Sequence, residues 1–151
     1  MEKGVLVTKR MTAAAAVALL GTGLAAGCAT QRSVAGTHLT GTAERPGPGD
    51  PNGGGAAQLV LYPDQGKICF GITVNNITVP ATAAHIHRGP LNVAGPVVVA
   101  LTPPGPDANS AGCATGVNHN LIQAIINNPA AYYVNVHNAN YPNGAVRGQL
   151  H

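Results

Sequence analysis

Over most of the chain beyond residue 35, apolar and polar residues alternate with a period of two, the repeat of a strand that buries one face. Ala57, Leu59 and Leu61 share a face, Pro63-Asp64-Gln65-Gly66 makes a turn, and the segment Ile68 to Val74 returns, which predicts a hairpin. Further short strands are expected at Thr37–Ala43, Ala83–His87, Val97–Leu101, Val134–Val136 and Val146–Leu150, the last two joined by a turn at Tyr141-Pro142-Asn143-Gly144. Between residues 118 and 128 the period changes. Leu121, Ile122, Ile125 and Ile126 form one helical stripe, and Pro129 follows its end. The run Arg45 to Gly55 is so rich in Pro and Gly that it reads as loop, as does Thr102 to Gly116. Short strands, frequent breakers and one short helix predict an all-β fold, an antiparallel Greek-key β-sandwich of about seven or eight strands.

The first residues read differently. Lys3, Lys9 and Arg10 precede an uncharged Ala/Leu/Val/Gly run from Met11 to Leu24, too short to span a bilayer but suited to a signal sequence. The run leads into Leu24-Ala25-Ala26-Gly27-Cys28, which resembles a bacterial lipobox with Ala25 standing where Leu is usual. The expected organisation is a lipoprotein signal peptide over 1–27, a polar tether over 28–36 and one folded domain over 37–151. Lipidated Cys28 would hold the exported protein to the extracytoplasmic side of a membrane. An ordinary cleaved signal with a chance cysteine is the alternative.

Charge excludes some functions. The formal net charge is +3, but beyond residue 28 the balance is Arg32, Arg45, Lys67, Arg88 and Arg147 against Glu44, Asp50, Asp64 and Asp107. The basic character therefore owes much to the first residues, and without a basic patch interleaved with aromatics a nucleic-acid partner is not expected. No serine sits in a nucleophile-elbow context, no carboxylate pair suits glycosidic chemistry and no glycine cluster precedes a phosphate-binding helix. Two cysteines remain beyond Cys28. In an oxidising compartment Cys69 and Cys113 read as a disulfide, with free thiols or soft metal ligands as the alternative. Alternation places Cys69 on the face of its strand opposite the core, and Cys113 lies in the Pro/Gly-rich stretch, so the bridge is expected to pin a loop across the outside of a sheet.

The candidate chemistry lies in two segments, Ala84-His85-Ile86-His87-Arg88-Gly89 and Tyr132-Tyr133-Val134-Asn135-Val136-His137. His85 and His87 are two residues apart in a strand, so both rings leave one face while Ile86 leaves the other. His137 shares a face with Asn135. If the two strands line a common groove, three neutral imidazoles can hold one Cu or Zn ion. The alternatives are histidines that fasten a covering loop, or acid/base chemistry. Arg147 and Gln149 alternate with Val146 and Leu150 and so point away from the core, as ligand contacts or loop anchors; Glu44 or Asp107 could pair with the arginine. Arg88 is a further candidate anchor. His38 and His119 have weaker claims, and terminal His151 is expected to be mobile.

The order of these motifs resembles the CHRD domain. The resemblance rests on Thr37-His38-Leu39-Thr40-Gly41 before Glu44-Arg45-Pro46, the His85 segment through Pro90, Gly95-Pro96-Val97-Val98-Val99, and Asn128-Pro129 through His137 to Gly144-Ala145-Val146-Arg147-Gly148-Gln149-Leu150. It covers about residues 34–150. The resemblance implies an extracellular β-rich module; the growth-factor partners of chordin, for which the family is named, do not transfer to a bacterial lipoprotein. A weaker similarity, to Cu/Zn superoxide dismutase, implies His85, His87 and His137 in the place of copper ligands and Arg147 at the mouth. A dinuclear centre is not expected, because the loop after His87 holds neither His nor Asp until Asp107. The expectation is a non-enzymatic binding or structural module with an unidentified envelope partner, the alternative a mononuclear Cu or Zn protein whose metal could support redox chemistry.

Overall fold

A computed structural model describes residues 30–151; the segment expected to be a signal peptide, and Cys28, lie outside the described residues. Eight strands form one continuous antiparallel sheet in the order β5-β4-β7-β8-β1-β2-β3-β6. They are β1 (Ser33–Thr40), β2 (Gly54–Tyr62), β3 (Lys67–Asn75), β4 (Ala83–Arg88), β5 (Val97–Leu101), β6 (Asn109–Thr115), β7 (Tyr132–His137) and β8 (Val146–Gln149), with helix α1 (His119–Asn127) between β6 and β7. The halves β5-β4-β7-β8 and β1-β2-β3-β6 join along β8 and β1, where Thr40 pairs with Arg147. The sheet folds over so that β5 and β6 come into contact. Strand β6 returns beside β3 after the β4–β5 hairpin has formed on the other half, the return of a Greek key.

Period-two alternation decides which face is dry. Leu59 and Leu61 of β2, Ile68, Phe70, Ile72 and Val74 of β3, Ile86 of β4, and Val134 and Val136 of β7 all turn inward and are buried. Helix α1 begins where the Asn118 side chain accepts the backbone N–H groups of Asn120 and Leu121 at 2.8 and 3.3 Å. It lays Ile122 and Ile125, both fully buried, against the core.

Three boundaries differ from the sequence expectation. Strand β1 runs over Ser33–Thr40 rather than Thr37–Ala43, and pairs with β2 along its whole length from Ser33↔Leu61 to Thr40↔Gly54. Its early residues alternate too weakly to announce themselves, and Gly41–Ala43 turns off as a 3₁₀ helix. Gly54 and Gly55, expected in a loop, open β2. Strand β6 lies inside the stretch expected to be entirely loop. Its sequence, Asn-Ser-Ala-Gly-Cys-Ala-Thr, carries no large apolar residue, and its order comes from pairing with β3.

Cys69 and Cys113 are bonded, with S–S 2.05 Å. They face each other directly in the β3–β6 ladder, on the sheet face away from the core. The bridge thus fastens an edge strand to its neighbour rather than a loop to a sheet. It closes a segment with a sequence separation of 44, for which chain entropy gives about 4 kcal/mol. The Cys69→Ala/Cys113→Ala double variant leaves the core intact, so urea denaturation should show a loss of that order. Wild-type protein unfolded with a reductant present should match the variant.

Candidate functional site

The face of β4, β7 and β8 opposite the apolar core is itself largely buried, and it is polar. Strand register sets two rows across it: His85, Asn135 and Arg147, and next to it His87, Tyr133 and Gln149. His137 stands opposite Ala83 at the end of β7. A direct cross-strand neighbour of His85 is therefore Asn135, and His137 reaches it diagonally.

Two straps cover this face. Residues 89–96, between β4 and β5, fold back across it. Arg147 donates to the carbonyls of Val93 at 2.9 Å and Pro90 at 3.0 Å. Gln149 Nε2 reaches the carbonyls of Gly89, Ala130 and Tyr132 at 2.7, 2.8 and 2.8 Å. Residues 44–53, after β1, come from the other end and meet the first strap where Arg45 donates to Asn92 Oδ1 at 2.6 Å. Arg147, expected to point outward, does leave the core but is only 1% exposed, because the straps lie over it. Its guanidinium sits 3.4 Å from the Tyr133 ring centroid. Asp107 is elsewhere, accepting the Asn109 N–H at the start of β6. Arg88 is exposed over Tyr132, outside the cluster.

The three histidines of β4 and β7 converge. His85 Nδ1 is 3.2 Å from His137 Nε2, the His85 and His87 ring centroids are 5.5 Å apart, and one ligand nitrogen from each ring lies within 4.8 Å of the others. Two of the three rings have fixed partners on their outer nitrogens. His87 Nδ1 is 2.8 Å from the Gly95 carbonyl and His137 Nδ1 is 3.0 Å from the Pro142 carbonyl. A carbonyl only accepts, so each Nδ1 carries the proton and each Nε2 presents a lone pair. His87 Nε2 is buried with no partner. Burial, and then the neighbouring His137 and His87 rings, hold His85 below the usual histidine range. Burial likewise dominates in holding His87 low. Both rings are thereby kept in the neutral form that a metal requires.

Gly95 is where the strap meets the site. Its carbonyl receives His87, its N–H donates to the Tyr133 hydroxyl at 3.1 Å, and Tyr133 stacks on the His87 ring with centroids 4.6 Å apart. A Cβ at this position would collide with the Arg88 carbonyl oxygen. Only glycine lets the strap come this close.

In the sequence Glu44 stands out only as a partner for Arg147 and as part of the Glu44-Arg45-Pro46 segment. It is 2% exposed, and its Oε1 and the neighbouring Asn135 Oδ1 are buried without partners. Burial raises its pKa from 4.5 to about 7, against the opposing pull of the Arg45 backbone N–H, Arg147, Asn135 and the Arg45 charge. Asn135 stands directly opposite His85 in the β4–β7 ladder, in the histidine row beside the buried carboxyl. Gly144 backs directly onto the Glu44 carboxyl, and a Cβ there would occupy its space. The remaining histidines stand apart. His38 is exposed, His119 faces the Pro63 carbonyl at 3.1 Å, and the backbone of His151 exchanges two hydrogen bonds with Gly36, both 3.2 Å, and is tied down rather than free.

The family model of the CHRD domain matches residues 35–150. No curated protein and no solved structure matches the chain.

Two outcomes test this geometry. The raised Glu44 pKa adds stability that is complete below about pH 4.5 and lost as pH rises through 7. Wild-type protein should therefore lose up to ~3 kcal/mol relative to Glu44→Gln between those limits, read from denaturant midpoints of both proteins. The depressed histidines act in the opposite direction at lower pH, and because both proteins share them they cancel in the difference. Gly95→Ala should open the strap, seen as faster amide exchange at Arg88 and Val93.

Proposed function

The chain belongs to the CHRD family, and from that premise we propose that it is a lipid-anchored, non-enzymatic module of the cell envelope that binds one copper or zinc ion at His85, His87 and His137. The observation that carries the reading is the pair of backbone carbonyls, Gly95 and Pro142, that fix the tautomers of His87 and His137. Metal-binding histidines characteristically donate their outer N–H to such a group, which orients the ring and raises its basicity. Histidines whose work was only to fasten loops would have no need to turn their remaining nitrogens toward a common point.

The donor set selects the ion. Three neutral imidazoles with no carboxylate among them suit zinc or copper rather than calcium or magnesium. An ion in tetrahedral coordination, 2.0–2.1 Å from each nitrogen, holds two of them about 3.4 Å apart. The His85–His137 pair, at 3.2 Å, already satisfies this, and the His87 nitrogen, within 4.8 Å of the others, needs to close in by at most about 1.4 Å. In the metal-free protein the short His85–His137 contact requires one proton between the two rings, and a bound ion takes its place. Binding should therefore release protons and weaken as pH falls.

Export and anchoring are supported by the basic and apolar leader, by the lipobox-like segment at Cys28, and by a disulfide, which belongs to oxidising compartments.

The test is elemental analysis of purified protein after loading with Cu(II) or Zn(II) and removal of excess. One ion per chain is expected. His87→Ala should lose it while keeping a wild-type circular dichroism spectrum, and Gly95→Ala should weaken it 10- to 100-fold through the lost carbonyl contact. Retention unaffected by His87→Ala, or no retained ion, overturns the metal reading. Anchoring is read separately: Cys28→Ser should move the protein from the membrane fraction to the soluble one.

A further inference from the structure

Strand register divides the charged groups between the two ends of the barrel. Arg32 immediately precedes β1, Lys67 opens β3 and Arg88 closes β4. The pairings Tyr62↔Lys67, Arg88↔Tyr132 and Ser33↔Leu61 put these residues at the end where the chain enters the fold. The one acidic residue described there is Asp64, in the turn between β2 and β3. Helix α1, which closes this end, exposes His119, Asn120 and Asn127 and carries no acidic residue. Two bulky apolar side chains are open to solvent at the same end, Val34 at 66% and Val97 at 50%. The opposite end holds Asp50, Asp107 and the buried Glu44 against Arg45. It also holds the β7–β8 turn, with His137 and Pro142.

We propose that the entry end of the barrel, bearing Arg32, Lys67, Arg88, Val34 and Val97, rests on the surface of an anionic lipid bilayer, with His137 and the β7–β8 turn at the end turned away from it. The proposal rests on the lipid-anchor reading given above. Covalent geometry limits the distance from Cys28 to Ser33 to roughly 17 Å, so an acylated Cys28 keeps this end near the headgroups. The eight residues of β1 carry the other end roughly 26 Å further on. An anchor alone leaves orientation free. Three cations attract anionic headgroups over about a Debye length, and two valines enter the interface beside them. The end with Asp50, Asp107 and the β7–β8 turn then faces the aqueous side, while His87, paired with Val97 and next to Arg88, lies close to the interface.

The chain contains no tryptophan, so a single introduced one is a clean reporter. Val34→Trp and Val97→Trp, with Asn52→Trp at the opposite end, are reconstituted through the protein's own N-terminal segment into vesicles carrying brominated acyl chains. In phosphatidylglycerol-containing vesicles, quenching at positions 34 and 97 should exceed that at 52 several-fold. The contrast should shrink in phosphatidylcholine alone and on adding Arg32→Gln/Lys67→Gln/Arg88→Gln. Equal quenching at the three positions, strongest quenching at 52, or a contrast indifferent to lipid and protein charge each overturns the proposal. A Cys28→Ser arm separates the two readings: if that variant binds as the parent does, the anchor reading fails while the quenching pattern still reports the face. If the parent does not partition, coupling the Cys28 thiol to a maleimide lipid supplies the tether and the same contrast decides.

Discussion

A guanidinium removed from water must find partners for its N–H groups inside the protein, and Arg147 is the residue on which this side of the molecule depends. It lies almost wholly buried on the polar face of β8, stacked on Tyr133, and its donors are met by the backbone carbonyls of Pro90 and Val93. The strap between β4 and β5 is consequently held down at two points by a group whose other acceptor is the Gln149 side-chain carbonyl beside it. Replacing the arginine would leave those carbonyls unpaired beneath a loose loop, a larger penalty than the loss of two ordinary hydrogen bonds. Arg147, Tyr133 and His87 form one stack, and Gly95 locks the strap to its far end. Structure and candidate chemistry are in this sense the same set of contacts.

The polar face is unusual because it is buried without being fully satisfied. Glu44 Oε1, Asn135 Oδ1 and His87 Nε2 lack partners, and groups left in that condition normally need a reason. Glu44 meets it by holding a proton near neutrality. For His87 the vacant lone pair is what a metal ligand requires. The disulfide, on the outer face of the β3–β6 pair, takes no part in this chemistry. It stabilises an edge strand whose small residues bury little apolar area.

Much of the architecture was legible because burial imposes a period. Ile68, Phe70 and Ile72, or Val134 and Val136, can be assigned to a core face from spacing alone, and the helix from Leu121, Ile122 and Ile125 with its Asn118 cap. The His85/His87 pair and the face of His137 were legible for the same reason. Strand β6 was not, since Asn109 to Thr115 bury almost nothing and owe their extended form to pairing with β3. Nor was the burial of Arg147. Alternation showed which way it points, but whether that direction meets water or a strap depends on residues more than fifty positions away in sequence.

The sequence by itself thus determined the all-β class, the helix, the two cysteines as a candidate pair and the histidines as the candidate site, because each is encoded in side-chain chemistry and local period. Tertiary structure alone decided that His137 meets His85, that Gly95 and Pro142 set the ring tautomers, and that Glu44 and Asn135 are sealed beside them. Those facts depend on strand order and on how two loops fold back over a sheet. Strand order is fixed by long-range pairing, which leaves no periodic mark along the chain.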